Sequence, residues 1–325
     1  MTNVGIIGGG AWGTALAQAQ GLAGRNTILW AREPQVVESI NTTRENTMYL
    51  PGVKLDAQIR ATNDLSEAVE PEILLLVVPA QHLRKTLKDI ADLEGKTLVL
   101  CAKGIEIETG DLLTDIVHNL TGLEASVLTG PTFASEIARG MPCAVTIASA
   151  NLEDARRLSN VLGSKTFRPY ASDDRIGAEL GGAVKNVIAI ASGVCAGKGY
   201  GESARAALIT RGLAEMMRLA LKMGGKRETL MGMCGLGDLV LTASSMQSRN
   251  FSLGHALGKG QSLEDILGSR NSVTEGVSTA RAVAKLATDH HLDLPIIFGI
   301  DAMLHQGRAA DLVIDDILSR PFGDE

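Results

Sequence analysis

The sequence predicts an α/β fold, in which a doubly wound N-terminal domain is followed by an all-α C-terminal domain. Its 325 residues exceed the roughly 250–300 that a single hydrophobic core organises, so two domains are expected. In the first half, short aliphatic runs alternate with helical or turn segments, and these strand-like runs stop after about Ile176. A glycine-rich turn also joins the first strand to the first helix.

The strand-like runs are almost continuously apolar, which is typical of a parallel sheet covered by helices on both faces. They span residues 4–7, 27–30, 73–78, 97–100, 126–128 and 144–147. The later helical segments span residues 178–192, 204–223, 237–244, 251–257, 263–267, 279–290 and 297–305. We therefore expect the two domains to span residues 1–177 and 178–325.

Charge, aromatic content and cysteine spacing exclude several classes of function. With 31 Lys and Arg against 37 Asp and Glu, the net charge of −6 disfavours general binding to nucleic acid or anionic membranes. The four cysteines, Cys101, Cys143, Cys195 and Cys234, have no histidine at ligand spacing, so no metal site is expected. Without a visible signal peptide or a charge-free run of about 20 apolar residues, we expect a soluble, cytoplasmic protein.

Glycine is the outlier of the composition, with 36 residues, about 11 % against a usual ~7 %. Gly8, Gly10 and Gly13 form G-x-G-x-x-G directly after the first strand and before a helix of small residues. In that context the first glycine permits a tight turn, the second lets backbone approach a pyrophosphate, and the third lets helix pack on strand. This pattern predicts a Rossmann domain that binds a dinucleotide; the alternative is a glycine-rich turn that binds nothing.

The end of the second strand bears on which dinucleotide is bound. A domain dedicated to NAD usually places an acidic residue there, about twenty residues after the motif. Here Arg32 stands at the strand end, where a guanidinium can bind a 2′-phosphate, and Glu33 follows it. We expect NADP(H) to be preferred, with NAD(H) tolerated.

Two further strand ends carry polar residues that can reach a substrate, because open α/β sheets bind ligands at the carboxyl ends of their strands. Lys103 follows the strand at 97–100. After the strand at 126–128, Gly130 permits close approach and Thr132 offers a hydroxyl at an expected helix start.

Lys185 is the one charged residue in the apolar stretch from Leu180 to Cys195. Burial disfavours the ammonium form and lowers a lysine's pKa toward the range useful for proton transfer. We expect Gly181 and Gly182, one turn earlier, to leave space for a ligand. The alternative is a lysine whose stem is buried and whose ammonium reaches water.

Asp238 and Thr242 are four residues apart and so share one face of the helix that follows Gly235 and Gly237. A carboxylate there would hold Lys185 as an ammonium; alternatively, Asp238 merely caps its helix.

Farther on, Ser248, Arg249 and Asn250 precede an apolar helix and could bind an anion. The alternative is that these three residues form an ordinary solvent-exposed helix start that binds nothing.

These blocks together resemble the NAD(P)-dependent glycerol-3-phosphate dehydrogenases, in particular the short bacterial form, over nearly the whole chain. The matching stretches are GGGAWGTALA (8–17), AKG (102–104), GPTFASE (130–136), GGAVKNVIAI (181–190), GLGDLVLT (235–242), QSRN (247–250) and VTEG (273–276). The resemblance implies reversible reduction of dihydroxyacetone phosphate to sn-glycerol 3-phosphate for phospholipid synthesis. An isologous homodimer is the default expectation for such enzymes. The family often has Ala where this chain has Gly9, a change expected to loosen the turn.

The resemblance also implies residue roles. Lys185 would be the general acid/base, with Lys103, Asp238 and Thr242 around the reacting oxygen. Substrate contacts would come from Lys103, Gly130, Thr132, Lys185, Asp238, Ser248, Arg249 and Asn250, of which Arg249 and Asn250 chiefly hold the phosphate. Cofactor contacts would come from Gly8, Gly10, Ala11, Trp12, Gly13, Arg32, Lys103, Ala134, Arg249, Val273 and Glu275.

Two alternatives remain at this point. A 2- or 3-hydroxyacid dehydrogenase with a helical second domain would also use a Lys-Asn pair such as Lys185-Asn186, but would select a carboxylate. A nucleotide-sensing regulator would bind the cofactor without turnover and would have no need for Lys185, Asp238 and Lys103.

Overall fold

The structure, a computed structural model, describes residues 3–268 and 274–321. It has an N-terminal domain built on a mostly parallel sheet and a helical C-terminal domain, which confirms the predicted fold class.

The chain divides into two compact units. Unit 1 comprises Met1–Lys103 and Leu112–Ala178, and unit 2 comprises Gly104–Asp111 and Glu179–Glu325. Residues 104–111 thus group with unit 2, and the predicted domain bounds of 1–177 and 178–325 stay a prediction.

Within the described residues, unit 1 holds one sheet of eight strands in the order β3-β2-β1-β4-β5-β6-β7-β8. The strands are β1 Asn3–Ile7, β2 Asn26–Trp30, β3 Ile59–Thr62, β4 Ile73–Leu76, β5 Thr97–Leu100, β6 Ser126–Thr129, β7 Cys143–Ala148 and β8 Phe167–Ser172. All neighbours pair in parallel except β6 and β7, which are antiparallel. The expectation of a parallel sheet was wrong at that pair.

The sequence pattern missed β3 and β8, and both lie at edges of the sheet. An edge strand need not be apolar throughout, since part of it faces water. Strand β3 has only four residues and exposes Arg60, while β8 alternates buried and exposed positions and contains Pro169. Proline is tolerated at such edges because its missing N–H removes no ladder bond there. The central strands are buried on both faces, as at Leu74, Leu75 and Leu76.

Helices cover the sheet, and in the described residues after β8 the regular structure is helical. Before residue 175 the structure has α1 Ala11–Leu22, α2 Pro34–Thr43, α3 Leu65–Ala68, α4 Ala80–Lys88, α5 Leu113–Thr121, α6 Ala134–Ala138 and α7 Leu152–Leu162. The later helices are α8 Arg175–Gly197, α9 Glu202–Lys222, α10 Arg227–Leu230, α11 Asp238–Ala243, α12 Arg249–Gly258, α13 Leu263–Gly268, α14 Glu275–Asp289, α15 Pro295–His305 and α16 Ala310–Leu318. A π-helical turn, Met233–Gly237, precedes α11. Helices α10 and α16 were not predicted: the first has only four residues, and the second buries Val313 alone.

Helix α8 is long and apolar enough to cross a membrane, yet 94 % of its most apolar window is buried inside the protein. It therefore serves as a core helix. In unit 2 it packs backbone to backbone against α12, and glycines make this possible. A Cβ on Gly193 would overlap the Phe251 carbonyl, and one on Gly254 would overlap the Ile190 carbonyl. This close approach sets the position of the start of α12 relative to the middle of α8.

Glu215 on α9 is a buried carboxylate that holds the start of α15. Its two oxygens accept the Ile296 and Ile297 N–H groups at 2.9 and 3.1 Å, donors that have no partner inside their own helix. Burial raises the pKa of Glu215 to about 7, although these two hydrogen bonds and Arg218 oppose the change; Asp293 adds to it. Because the folded pKa lies above the ordinary 4.5, the folded chain binds this proton more tightly than the unfolded chain.

We predict that Glu215 makes the free energy of unfolding fall by roughly 3 kcal/mol as pH rises from about 4.5 to about 7. Urea unfolding across that range should show this decline in the wild type relative to Glu215→Gln, whose amide does not titrate. The exposed Glu228→Gln variant is the control and should run parallel to the wild type. Parallel curves for Glu215→Gln would contradict the prediction.

Candidate active site

Lys185 lies in the middle of α8 and ends in a buried polar cluster. Its Nζ donates to Oδ1 of Asp238 at 2.9 Å and to Oγ1 of Thr242 at 2.7 Å. Only 7 % of the Lys185 side chain and 1 % of the Asp238 side chain are exposed. The interpretation of Lys185 as a lysine that reaches out to water was therefore wrong. The buried ammonium of Lys185 is tolerated because the Asp238 carboxylate and the Thr242 hydroxyl both form hydrogen bonds with it.

Helix α11 supplies the other two members of the cluster from one face. The Thr242 hydroxyl donates to Asp238 Oδ1 at 3.1 Å, the contact that the four-residue spacing predicts. Asp238 is the first residue of α11, and the capping position belongs to Gly237, so Asp238 is not merely a helix cap. A directional chain results, in which Lys185 donates to Thr242 and Thr242 donates to Asp238.

The glycines beside the cluster serve packing. A Cβ on Gly181 would lie 2.7 Å from the Cys234 carbonyl, and one on Gly235 would overlap the Leu230 backbone. The expectation that Gly181 leaves space for a ligand was wrong, because the backbone of the π-helical turn fills that space. Ser192 adds a second tie between α8 and α11, since its buried hydroxyl donates to the Ala243 carbonyl at 2.8 Å.

A second polar group begins one residue after Lys185. The Asn250 Nδ2 donates to Asn186 Oδ1 at 2.8 Å, and the Gly276 N–H donates to Asn250 Oδ1 at 3.0 Å. Three helices, α8, α12 and α14, are joined in this way. Asn186 was named only in the Lys-Asn pair of the hydroxyacid dehydrogenase alternative and was left out of the predicted site; the signal was a second polar residue beside Lys185 in a mostly apolar stretch. Asn250, predicted to bind phosphate, also has this structural contact.

The start of α12 matches the predicted cap. Ser248 is buried, and its hydroxyl accepts the Phe251 N–H at 3.2 Å. Arg249 is the first residue of the helix and is exposed. A cation beside the unpaired N–H groups of a helix start can bind an anion such as a phosphate.

The glycine turn of unit 1 has the geometry that dinucleotide binding requires. Gly8 has a φ of +133°, and a Cβ there would lie 2.9 Å from the Val77 backbone. A Cβ on Gly13 would overlap the Gly8 carbonyl, so α1 can pack this close only through glycine. Over Gly10, by contrast, no atom of the described residues lies within 4 Å of a Cβ position. The turn is thus crowded on the protein side and open where a pyrophosphate would approach.

The neighbours of this turn are tightly packed. A Cβ on Gly9 would overlap the Ala31 side chain, so the missing Cβ makes room for Ala31. The expectation that Gly9 loosens the turn stays a prediction. Trp12, in the first turn of α1, is half-buried and donates from Nε1 to the Cys101 carbonyl at 3.1 Å. Ala11 is the first residue of α1.

Arg32 lies just beyond the end of β2, and its side chain is 78 % exposed. Glu33 holds its guanidinium through two hydrogen bonds, at 3.1 and 2.8 Å. The arginine is therefore oriented at the surface, where it can bind an anion, and a carboxylate competes for it.

Lys103 and Thr132 share an acceptor within unit 1. The Lys103 Nζ donates to the Gly130 carbonyl at 3.1 Å, and the Thr132 hydroxyl donates to the same oxygen at 3.3 Å. A Cβ on Gly130 would lie 2.8 Å from Val145 Cα. Thr132 precedes the cap of α6, which is Phe133, so it is not at the helix start itself. The expected grouping of Lys103 with Lys185 joins residues of different units and stays a prediction.

The remaining predicted cofactor residues stand at helix starts. Ala134 begins α6 and Glu275 begins α14, while Val273 lies outside the described residues. Within residues 3–268 and 274–321, no three His, Cys, Asp or Glu side chains are close enough together to hold a metal ion.

Comparison with known proteins matches the chain to two family models. The description "NAD-dependent glycerol-3-phosphate dehydrogenase N-terminus" matches residues 3–155, and "NAD-dependent glycerol-3-phosphate dehydrogenase C-terminus" matches residues 174–315. Together they cover both units of the chain.

Individual relatives agree over the full length. The glycerol-3-phosphate dehydrogenase [NAD(P)+] of Parvibaculum lavamentivorans is 52 % identical over 325 residues, covering 99 % of this chain and 98 % of that one. That of Rhodospirillum rubrum is 52 % identical over 98 % of this chain and 93 % of its own. Among solved structures, the glycerol-3-phosphate dehydrogenase of Coxiella burnetii is 36 % identical, with a TM-score of 0.93 over 98 % of this chain and 99 % of that one.

Proposed function

The chain belongs to the NAD-dependent glycerol-3-phosphate dehydrogenase family, and from this membership we infer how its own residues act. It is an NAD(P)-dependent oxidoreductase that interconverts dihydroxyacetone phosphate and glycerol 3-phosphate. The observation that carries the mechanism is the buried contact of Lys185 with Asp238 and Thr242. The contact holds the Lys185 ammonium beside a carboxylate and largely out of water, which supports its assignment as the proton donor.

Lys185 is the general acid/base of the proposed mechanism. Its Nζ donates a proton to the C2 oxygen of dihydroxyacetone phosphate during reduction, and in its neutral form accepts the hydroxyl proton during oxidation. When bound, the nicotinamide supplies or accepts the hydride at C2. Asp238 holds the ammonium form, and Thr242, fixed between both groups, restricts the direction of the Nζ hydrogens. Orientation is the protein's main contribution.

The substrate phosphate binds at the start of α12 in this proposal. Arg249 supplies a charged donor, Ser248 fixes the first turn, and Asn250 joins that turn to Asn186 beside Lys185. Substrate contacts are also assigned to Lys103, Gly130 and Thr132 of unit 1, and the shared carbonyl of Gly130 supports treating these three as one group.

Most of the cofactor contacts in this proposal come from residues of unit 1. The pyrophosphate would be held by Gly8, Gly10 and Gly13 and the start of α1, with Ala11 and Trp12 beside them. Arg32 binds the 2′-phosphate, so NADP(H) is preferred and NAD(H) is accepted. Further contacts are assigned to Lys103, Ala134, Arg249, Val273 and Glu275. A homodimer in the cytoplasm that supplies glycerol 3-phosphate for phospholipid synthesis completes the proposal.

The direct test is a spectrophotometric assay of NADPH and NADH oxidation with dihydroxyacetone phosphate, run beside a panel of 2- and 3-keto acids. We expect rapid turnover of the phosphorylated triose alone. Turnover of the keto acids in its place would identify a hydroxyacid dehydrogenase, and tight NADPH binding without turnover would identify a regulator.

Lys185→Ala should lower kcat by roughly 10²–10⁴-fold, because the proton donor is lost, while the dissociation constant for NADPH stays nearly unchanged. Lys198→Ala, just beyond the end of α8, is the matched control, since Lys198 forms an ion pair with Asp311 instead. A turnover number near the wild-type value for Lys185→Ala would refute the assigned role.

Arg249→Ala should raise KM for dihydroxyacetone phosphate by at least about tenfold, because a charged hydrogen bond to the phosphate is lost. Unphosphorylated dihydroxyacetone serves as the control substrate, since its poor turnover should change little. An unchanged KM for the phosphorylated substrate would remove Arg249 from the phosphate site.

Arg32→Ala should raise KM for NADPH by about tenfold and leave KM for NADH nearly the same, because only NADPH carries the 2′-phosphate. NADH is thus the internal control in steady-state kinetics. A strong preference for NAD(H) in the wild type that survives the substitution would contradict the assignment of Arg32.

A further inference from the structure

Asn46 lies outside the glycine motif, thirty-three residues after Gly13, and yet contacts it directly. Its side chain is fully buried. Nδ2 donates to the Gly9 carbonyl at 2.9 Å and to the Thr14 hydroxyl at 2.8 Å. One amide group therefore joins the middle of the glycine turn to the first turn of α1.

The orientation of the Asn46 amide is fixed by its partners. Oδ1 accepts the Tyr49 N–H at 3.0 Å, and a backbone N–H can only donate. On the other side the Gly9 carbonyl can only accept, so the nitrogen must face it. The Thr14 hydroxyl, itself 3.4 Å from the Gly9 oxygen, takes part in the same group.

By holding the Gly9 carbonyl, Asn46 also fixes the direction of the Gly10 N–H, because both groups belong to the same peptide. The carbonyl of Gly9 and the N–H of Gly10 belong to one planar trans peptide, in which the two groups point in opposite directions. Because Asn46 holds the carbonyl toward the protein interior, the Gly10 N–H is turned away from it. Gly10 is exposed, with open space above its Cα.

The segment that carries Asn46 is itself anchored. The Leu50 N–H donates to the Asn46 carbonyl at 2.9 Å, and the Leu50 side chain is buried. Just before it, the Arg44 guanidinium donates to the Ile59 carbonyl of β3 at 2.8 Å. These bonds hold the backbone around Asn46 in place, so its side chain can restrain the glycine turn.

We propose that Asn46 is a positioning residue for the cofactor: its amide sets the Gly9–Gly10 peptide so that the Gly10 N–H faces the pyrophosphate. The inference rests on the proposed function, because it takes the ligand of the glycine turn to be NAD(P)(H). The pyrophosphate is common to both dinucleotides, so Asn46 affects NADPH and NADH alike, unlike Arg32.

Asn46→Asp tests this proposal with a side chain of the same shape. The carboxylate keeps the acceptor for Tyr49 but turns an oxygen toward the Gly9 carbonyl, which repels the carbonyl and frees the peptide to rotate. We expect the dissociation constants for NADPH and NADH, measured by fluorescence titration, to rise roughly 10- to 100-fold each. KM for dihydroxyacetone phosphate and kcat at saturating cofactor should change less than about threefold.

Gln18→Glu is the matched control for loss of a buried amide. Gln18 lies on α1 and is buried, and its side chain bonds to the Lys54 carbonyl and the Asp56 N–H rather than to the glycine turn. Both variants should lower the melting temperature, but only Asn46→Asp should weaken cofactor binding. A folded Asn46→Asp protein with wild-type dissociation constants would overturn the proposal, as would an equal weakening by Gln18→Glu.

A second pair of variants covers the case in which Asn46→Asp does not fold. Thr14→Val removes the hydroxyl that Asn46 and Gly9 share, whereas Thr14→Ser keeps it. We expect Thr14→Val to bind both cofactors several-fold more weakly than Thr14→Ser; equal dissociation constants would overturn the proposal. Failure of the proposed function is distinguishable, because it would leave the wild type binding NADPH without reducing dihydroxyacetone phosphate.

Discussion

The buried ion pair between Lys185 and Asp238 is the constraint on which the helical unit depends. Each charge loses several kcal/mol of hydration on burial, and only close contact with further hydrogen bonds offsets that loss. Thr242 bonds to both partners. Removing Lys185 or Asp238 would leave a buried charge without its partner, and removing Thr242 would take away hydrogen bonds to both, so the contact restrains α8 and α11 to one relative placement. The cluster to which we assign the chemistry therefore also fixes the placement of the helices around it.

Close backbone contact is how the fold keeps that placement. Glycines let α8 approach α12 at Gly193 and Gly254, and let the π-helical turn approach α8 at Gly181. In unit 1, other backbone atoms likewise pack closely against Gly8 and Gly13, whereas the space beside Gly10 is open. The glycines thus differ in use: Gly10 leaves open space beside the turn, and several others let buried backbones pack at distances that a Cβ would forbid.

Much of the candidate site could be predicted because its residues contrast with their surroundings. Lys185 stands alone in an apolar stretch, and the spacing of Asp238 and Thr242 puts both on one helical face. The supporting amides give no such contrast. Asn46 sits in a polar loop and Asn250 in a polar helix start, and their bonds to Gly9 and Asn186 join residues 37 and 64 positions apart. Strands β3 and β8 were missed for a related reason, since edge strands lack the apolar continuity of the central ones.

The sequence by itself determined the two-part architecture, the glycine turn between β1 and α1, and the residue types of the chemistry. Periodicity and local turn chemistry are properties of neighbouring residues, so a single sequence carries them. Only the tertiary structure decided that β7 runs against β6, that Gly9 gives its space to Ala31, and that Asn46 bonds to the glycine turn. Each of these depends on which distant group fills a given space or meets a given donor, and packing settles that only once the chain has folded.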